Sequence, residues 1–456
     1  MKKLFLSFAT GLLSFAATAA PVQPIEQTIT NQTDGYILRI TGSSTLGKEL
    51  LPNLVEQYLQ AKQVQNIDRI AMGREQSSLI RGTTPSGASV NVLVEAKGTS
   101  TGFSALINDT TDIAAASRRV TDDENARYAT SDLTTSQFEH IIGLDGLAMV
   151  INQNNPVSQL SIDEIGKIYA GEISNWSQLS DKYPELNGFS GRITVLARDD
   201  ASGTFETFDN LVLERGYRLA DSVQRFNSNG QITQAVETDT MAIGFTSVAD
   251  TGNTRPLPVT DGATTPLTAE KMFIASEDYP LTRRLYLYTG TSANVHVREF
   301  IEFVASTQGQ STVDRVGFIS QNIEKLPQAI TADMPTGYLQ LVGRAERLSL
   351  NFRFTGDSRQ LDSKAERDMS RLVAFMQRPE NQNRELMLFG FAADQGDEER
   401  ARLLSEVRML AIRKELRKYG IRADAVKGYG SLNPVASNDN PISADRNNRV
   451  EVWIKE

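Results

Sequence analysis

Arg198-Asp199-Asp200-Ala201-Ser202-Gly203-Thr204-Phe205 is the stretch on which the reading of the fold turns. An apolar run, 193–197, precedes it with the composition of a strand, and residues 205–213 follow with apolar side chains at helical spacing. A strand ends, Ser-Gly-Thr turns, and a helix begins. The first turn of a helix carries N–H groups without internal partners and a partial positive charge, so it suits an anion. Gly203 lets an oxyanion approach the backbone, Ser202 and Thr204 bring hydroxyls, and Arg198 brings a permanently charged fork of donors. Taken alone, the stretch fits an ordinary N-cap as well as an anion site.

The same design occurs twice upstream. A strand at 36–40 runs into Thr41-Gly42-Ser43-Ser44-Thr45-Leu46-Gly47, and apolar residues then repeat at helical spacing through Leu59. A strand at 90–96 runs into Lys97-Gly98-Thr99-Ser100-Thr101-Gly102, and Phe103 opens a helix. The polar stretch 64–90 reads as surface, with a hairpin or loop at 83–87. A short buried strand is expected at 111–119, a long apolar strand at 144–152 and a returning strand at 241–246, with helices at 160–169 and 297–306. Strands alternating with helices predict an α/β fold with mainly parallel sheets, whose ligands sit beyond the carboxyl ends of strands. Three Ser/Thr-Gly turns at three such ends can converge on one small anion.

The chain of 456 residues is long enough for two to three domains. Its start has a basic Met1-Lys2-Lys3, an apolar core over 4–15 and a small-x-small Ala17-Thr18-Ala19, which reads as a signal peptide of residues 1–19. No other stretch is apolar enough to span a bilayer, so export to the periplasm without membrane insertion is expected. The absence of cysteine excludes disulfides and thiolate metal sites, and only His140 and His296 are present. Net charge is −9, which argues against nucleic acid and leaves anion binding to local geometry. Residues 324–345, with Pro327 and Pro335, read as a linker. Beyond it, 347–354 alternates strictly and predicts a half-buried strand, followed by a helix at 362–378, a strand at 385–389, a charged helix at 397–418 and a terminal strand at 450–454. This is a separate, small α+β domain, 346–456.

The motifs of residues 35–320 occur in the order found in the periplasmic phosphate-binding protein of Pst-type ABC importers. They are Gly42-Ser43-Ser44-Thr45, Gly98-Thr99-Ser100-Thr101-Gly102, Asp112 with Ser117-Arg118, Asp145-Gly146-Leu147-Ala148, Arg198 with Ser202-Gly203-Thr204, and Ala242-Ile243-Gly244-Phe245. The domain at 34–323 resembles that family. The resemblance implies a two-lobed, type II periplasmic binding protein that traps inorganic phosphate by lobe closure, with an ABC importer permease as partner and no cofactor. One lobe would comprise about 34–144 and 249–323, the other 145–248, with crossovers near 145–152 and 242–248. The implied ligands are Thr45, Leu46, Thr99 and Ser117 from one lobe and Arg198, Ser202, Gly203 and Thr204 from the other, with Asp200 orienting Arg198. Some members carry an Asp at the position of Ser117, which accepts the proton of bound phosphate and so rejects sulfate. With Ser117 there, Asp145 and Asp200 are the candidate acceptors.

The second domain resembles the OmpA-like peptidoglycan-binding domain through Gly390, Gly396, Leu404-Ser405-x-x-Arg408, Gly428-Tyr429-Gly430 and Asn448-Arg449-Val450-Glu451. The resemblance implies that Arg408, paired with an Asp three residues after Gly390, grips the diaminopimelate side chain. Ala393 stands at that position and Asp394 is its neighbour, so Asp394 and Arg408 are the candidates. A phosphatase using Ser202 would need a base or a metal, which neither histidine nor any ligand cluster supplies, so no catalytic residue is expected. The competing reading is an envelope structural or adhesion protein whose first domain binds another oxyanion or a protein partner.

Overall fold

The computed structural model describes residue 25 and residues 35–73, 77–200, 202–292, 294–326, 334, 336–354, 360–439 and 441–455. The signal peptide expected at 1–19 lies outside the described residues, as do Ala201, Pro327 and Pro335. In chain order the first domain has β1 (Leu38–Gly42), β2 (Gln65–Met72), β3 (Ser77–Thr83), β4 (Ser89–Ala96), β5 (Ile113–Ala116), β6 (Glu139–Ile151), β7 (Leu160–Ser161), β8 (Thr194–Arg198), β9 (Gln224–Phe226), β10 (Ala242–Ser247), β11 (Arg255–Pro256), β12 (Val259–Thr260) and β13 (Thr282–Thr289). The second has β14 (Lys325–Leu326), β15 (Glu346–Arg353), β16 (Glu385–Phe391), β17 (Ala423–Gly428) and β18 (Arg449–Lys455).

The first domain is built on one curled sheet of order β2-β3-β4-β1-β5-β13-β6-β10-β8-β9, with β11 also on β6. Pairing is mixed, where mainly parallel strands were expected. β1 runs parallel to β4 and β5, and β8 to β9 and β10, but β13 is antiparallel to both its neighbours. The polar stretch 64–90 contributes β2 and β3, and β3 meets β4 through a tight connection in which Gly87 (φ 90°) donates its N–H to Thr84 O at 2.9 Å. A connection this short joins only antiparallel neighbours.

β6 decides the two-lobed shape. All of its 13 residues are buried. Its first half, through Gly146, pairs with β13, and its second half, from Leu147, pairs with β10. The chain therefore passes between the lobes within β6 and returns at the start of β13, and the crossover expected at 242–248 is instead the interior strand β10 of the second lobe. Residues 249–281 also pack with that lobe rather than the first, because Leu257, Val259, Phe273 and Ile274 share a core with Ile162, Trp176 and Phe208. The first lobe's core joins Leu38, Ile40, Leu54, Val92 and Phe300.

The second domain is a sheet of order β14-β15-β18-β16-β17. The helices Ser363–Met376 and Glu398–Lys418 cover one face, where Leu372, Met409 and Ile412 meet Leu348, Phe352 and Leu388. The expected linker is structured where it is described. β14 pairs with Leu348 and Arg347, and the helix Thr336–Val342 places Tyr338 against Phe389, Tyr429 and Trp453 on the other face.

β15 differs from its reading as half-buried, because both faces are covered. Leu348, Leu350 and Phe352 enter the domain's own core, while Arg347, Asn351 and Arg353 dock on the first domain. Arg347 Nη2 donates to Asp278 Oδ2 at 2.7 Å, and Asn351 Nδ2 to Asp278 Oδ1 at 2.9 Å. Arg353 Nε donates to Glu277 Oε2 at 3.0 Å, and Arg446 Nη2 to the Glu277 carbonyl at 2.7 Å. Burial opposes the charge on Asp278, but Arg347, Arg449 and Arg353 outweigh it and hold the carboxyl below its usual range. A second contact lies on the other lobe. Arg367 Nη2 donates to Ser136 O at 2.7 Å and to His140 Nδ1 at 2.6 Å, and Ser363 bonds Glu139. The C-terminal domain therefore bridges both lobes.

Two outcomes follow from this docking. Asp278→Ala leaves buried guanidinium groups without their shared counter-charge, so calorimetry should find the full chain less stable by about 3–5 kcal/mol; an unchanged unfolding transition would contradict the hub. Burial, and then Arg367, depress the His140 pKa from 6.5 to about 3. The unfolded chain thus binds a proton that the native one refuses, and stability falls as pH drops from about 6.5 toward 3. His140→Gln should flatten the slope of unfolding temperature against pH in the upper part of that window, where carboxylates contribute little.

Candidate functional site

Three strand ends of the first lobe face the second. β1 ends at Gly42 (φ 146°), where a Cβ would lie 2.0 Å from Ala115 O, so the chain turns into Ser44–Gly47 only with glycine there. β4 is followed by Gly98 (φ 98°) and the helix Thr99–Ile107. β5 is followed directly by Ser117. From the second lobe, β8 ends at Arg198 and the helix Gly203–Leu211 starts after it. Gly203 is pressed onto the first lobe, since a Cβ would meet Thr45 Oγ1 at 2.5 Å and Thr45 Cα at 2.8 Å.

The expected hydroxyls do converge, and what they converge on is a side chain of this protein. Ser117 Oγ donates to Glu206 Oε1 at 2.7 Å, Thr99 Oγ1 to the same oxygen at 3.3 Å, and Thr45 Oγ1 to Glu206 Oε2 at 3.1 Å. Ser117 N–H donates to Thr99 Oγ1 at 3.2 Å, which leaves the Thr99 proton for the carboxylate. Glu206 lies in the first turn of the Gly203–Leu211 helix, on the opposite lobe. Its carboxylate thus fills a cradle of three hydroxyls.

Arg283, on β13, completes the surroundings. Its Nε donates to Asp145 Oδ2 at 3.2 Å, and its Nη2 to Thr45 Oγ1 at 2.9 Å and to Gly203 O at 3.0 Å. Its Nη1 is buried without a hydrogen-bond partner among the described residues. Asp145, opposite Arg283 in the β6–β13 register, also accepts from Thr207 Oγ1 at 3.1 Å. This candidate proton acceptor is therefore occupied by Arg283 and Thr207.

The remaining site residues are placed as follows. Arg198 donates to Phe226 O, Asn227 O and Asn229 Oδ1 at 3.2, 2.9 and 2.7 Å, and so shapes the 226–229 loop. Its pKa is lowered by burial, against the pull of Asp199 and Asp250. Asp200 does not orient it: that carboxylate is 87% exposed and pairs with Arg225. Ser202 caps its own helix, its Oγ accepting from Thr204 N at 3.2 Å and Phe205 N at 3.4 Å, so the local N-cap reading holds here. The Leu46 side chain is in the first lobe's core. Ser44, Thr45, Lys48, Arg198, Gly203 and Asn229 line an adjoining cleft of about 320 Å³. His140 contacts Thr289 and Arg367, and His296 contacts Tyr58 and Glu299, away from these residues. No group of acidic or histidine side chains among the described residues could hold a metal ion.

Sequence reading missed Glu206 and Arg283. A carboxylate in the first turn after Ser-Gly-Thr, and an Arg-Arg pair entering the apolar run of β13, were the available signals. In the second domain, Arg408 is fully buried, donates from Nη1 to Asn448 Oδ1 at 2.6 Å and stacks over Phe354. Asp394 is exposed and accepts from Gly396 N at 2.8 Å. Asn448 Oδ1, which also accepts from Ala393 N at 2.9 Å, links the Ala393 position to Arg408.

Residues 27–308 match the profile of the PBP superfamily domain, and residues 353–449 match the OmpA family. A phosphate-binding protein PstS of Staphylococcus haemolyticus is 28% identical over 233 residues, covering 49% of this chain and 70% of that protein. A phosphate-binding protein PstS of Borreliella burgdorferi is 23% identical over 296 residues, covering 63% of this chain and 91% of its own. Among solved structures, an ABC-type phosphate transport receptor from Vibrio cholerae is 26% identical with a TM-score of 0.47, covering 62% of this chain and 99% of that one.

Proposed function

This chain belongs to the PBP superfamily and carries an OmpA family domain after it, and we propose that it is an envelope receptor for inorganic phosphate, tethered to peptidoglycan. The observation that carries this reading is the cradle of Thr45, Thr99 and Ser117, three hydroxyls from three strand ends aimed at one oxyanion presented by the other lobe. A receptor that closes on phosphate draws donors from both lobes, and these three hydroxyls are the first lobe's share. Thr45, the Leu46 N–H, Thr99 and Ser117 act from the first lobe, and Arg198, Ser202, Gly203 and Thr204 from the second, with Arg283 as a further cation at the crossover. Two relatives are named phosphate-binding proteins, which favours phosphate over other oxyanions and an ABC importer permease as the onward partner. The reading needs no catalytic group. No helix among the described residues is long and apolar enough to cross a membrane, and the C-terminal domain supplies the proposed attachment to the wall through Arg408 and Asp394.

A second reading, an envelope protein reading a different oxyanion, is favoured by the carboxylate found in the cradle. Titration calorimetry of the mature chain separates the two. Phosphate should bind at one site in preference to sulfate and acetate, and Ser117→Ala should weaken it by about tenfold or more, the loss of one hydrogen bond to a charged group. Absence of heat and of thermal stabilisation with phosphate would refute the receptor reading. Wall attachment is checked by co-sedimentation: the mature chain should pellet with purified peptidoglycan and Arg408→Ala should not, whereas a wild-type chain that stays in the supernatant excludes the tether.

A further inference from the structure

We infer that Glu206 is a built-in competitor for the oxyanion cradle, a carboxylate latch that joins the lobes without ligand and sets the affinity of the site. The inference rests on the receptor reading above and concerns how that site is regulated. Each of the three hydroxyls that the cradle offers lies within hydrogen-bond distance of Glu206, Ser117 and Thr99 on Oε1 and Thr45 on Oε2, with Ser117 and Thr99 also in contact at 3.0 Å and Thr45 Oγ1 3.4 Å from the Gly203 carbonyl. Hydrogen bonds to an ionised acceptor are the strong kind, so this is an occupied site rather than a nearby carboxylate. The latch also spans the lobes, since its donors follow β1, β4 and β5 while Glu206 belongs to the helix after β8. It is reinforced at the same seam by Arg283, which holds both Thr45 Oγ1 and Gly203 O.

An incoming phosphate and the Glu206 carboxylate cannot share these three donors. Each hydroxyl has one proton to give, and two anions at contact distance repel strongly where water is scarce. Phosphate must displace the side chain, and the adjoining cleft lined by Ser44, Lys48, Arg198 and Asn229 is open beside it. Neither of the carboxylates expected as acceptors plays this part. Asp145 is held by Arg283 and Thr207, and Asp200 is turned to solvent against Arg225. A ligand that binds one state better than the other shifts the population only by that difference, so the latch lowers apparent affinity by the fraction of molecules it keeps occupied.

The test is calorimetric titration of inorganic phosphate into the full mature chain, its Glu206→Gln variant and its Glu206→Ala variant. Glu206→Gln keeps the shape and removes the charge, and Glu206→Ala empties the cradle; circular dichroism reports whether each is folded. The expected result is phosphate binding tighter by about tenfold or more in both variants than in the unaltered chain. Equal or weaker binding in folded variants, with the unaltered chain binding phosphate, overturns the latch and leaves the receptor reading intact, Glu206 then being a partner of the ligand. Absence of phosphate binding in all three overturns the receptor reading and the latch with it.

Discussion

The antiparallel pairing of β6 with β13 is the constraint on which the rest of this molecule depends. β6 is long enough to give one half of its ladder to β13 and the other half to β10, so a single buried strand belongs to both lobes. The register sets Asp145 opposite Arg283 at the point where the strand changes partner. That pair is buried, and its guanidinium reaches out of the strand to Thr45 on one lobe and Gly203 on the other. A buried ion pair needs further hydrogen bonds to balance the loss of hydration, and here those bonds fall on the residues that form the site. Placement of the cradle and integrity of the crossover are thus one physical problem.

The ends of the same crossover carry the C-terminal domain. Glu139 and His140 open β6, and residues 276–280 lead into β13. The first group meets the Ser363–Met376 helix, the second the polar face of β15 and Arg446. The docked face is charged rather than apolar: Arg347 and Arg353 point at Asp278 and Glu277, all buried. Such a contact has a strict geometry, because an uncompensated charge in this setting is expensive. It seats the OmpA family domain against both lobes.

At the candidate site the polar groups are partnered within the chain. The Ser202 hydroxyl satisfies the first N–H groups of its helix, Arg198 holds the 226–229 loop, and Glu206 takes the three hydroxyls of the opposite lobe. At this seam Thr45, Thr99 and Ser117 of one lobe are hydrogen-bonded to Glu206 of the other, and Arg283 ties Thr45 to Gly203. In the proposed receptor, affinity is therefore a difference between two oxyanions, one covalently attached and one free.

Much of this was legible in the sequence. Apolar periodicity located β1, β4, β8, β10, β16 and β18, and the three glycine–hydroxyl turns pointed to Thr45, Thr99 and the start of the Gly203 helix, which the structure brings together. Gly42, Gly98 and Gly203 carried that signal because their conformations or their close contacts exclude a Cβ. β2 and β3 were not legible, because β2 is a solvent-facing edge strand and lacks an apolar stripe. Alternation in β15 was read correctly as a strand but not as a docking face, since a polar face meant for another domain looks like one meant for water. The second crossover, the burial of Asp145 against Arg283 and the occupant of the cradle depend on residues far apart in the chain. Local pattern determined the glycine–hydroxyl turns at the ends of β1, β4 and β8; only the tertiary structure decided that Glu206 stands against them, because a carboxylate on a helix meets these hydroxyls only when another lobe brings them within reach of it.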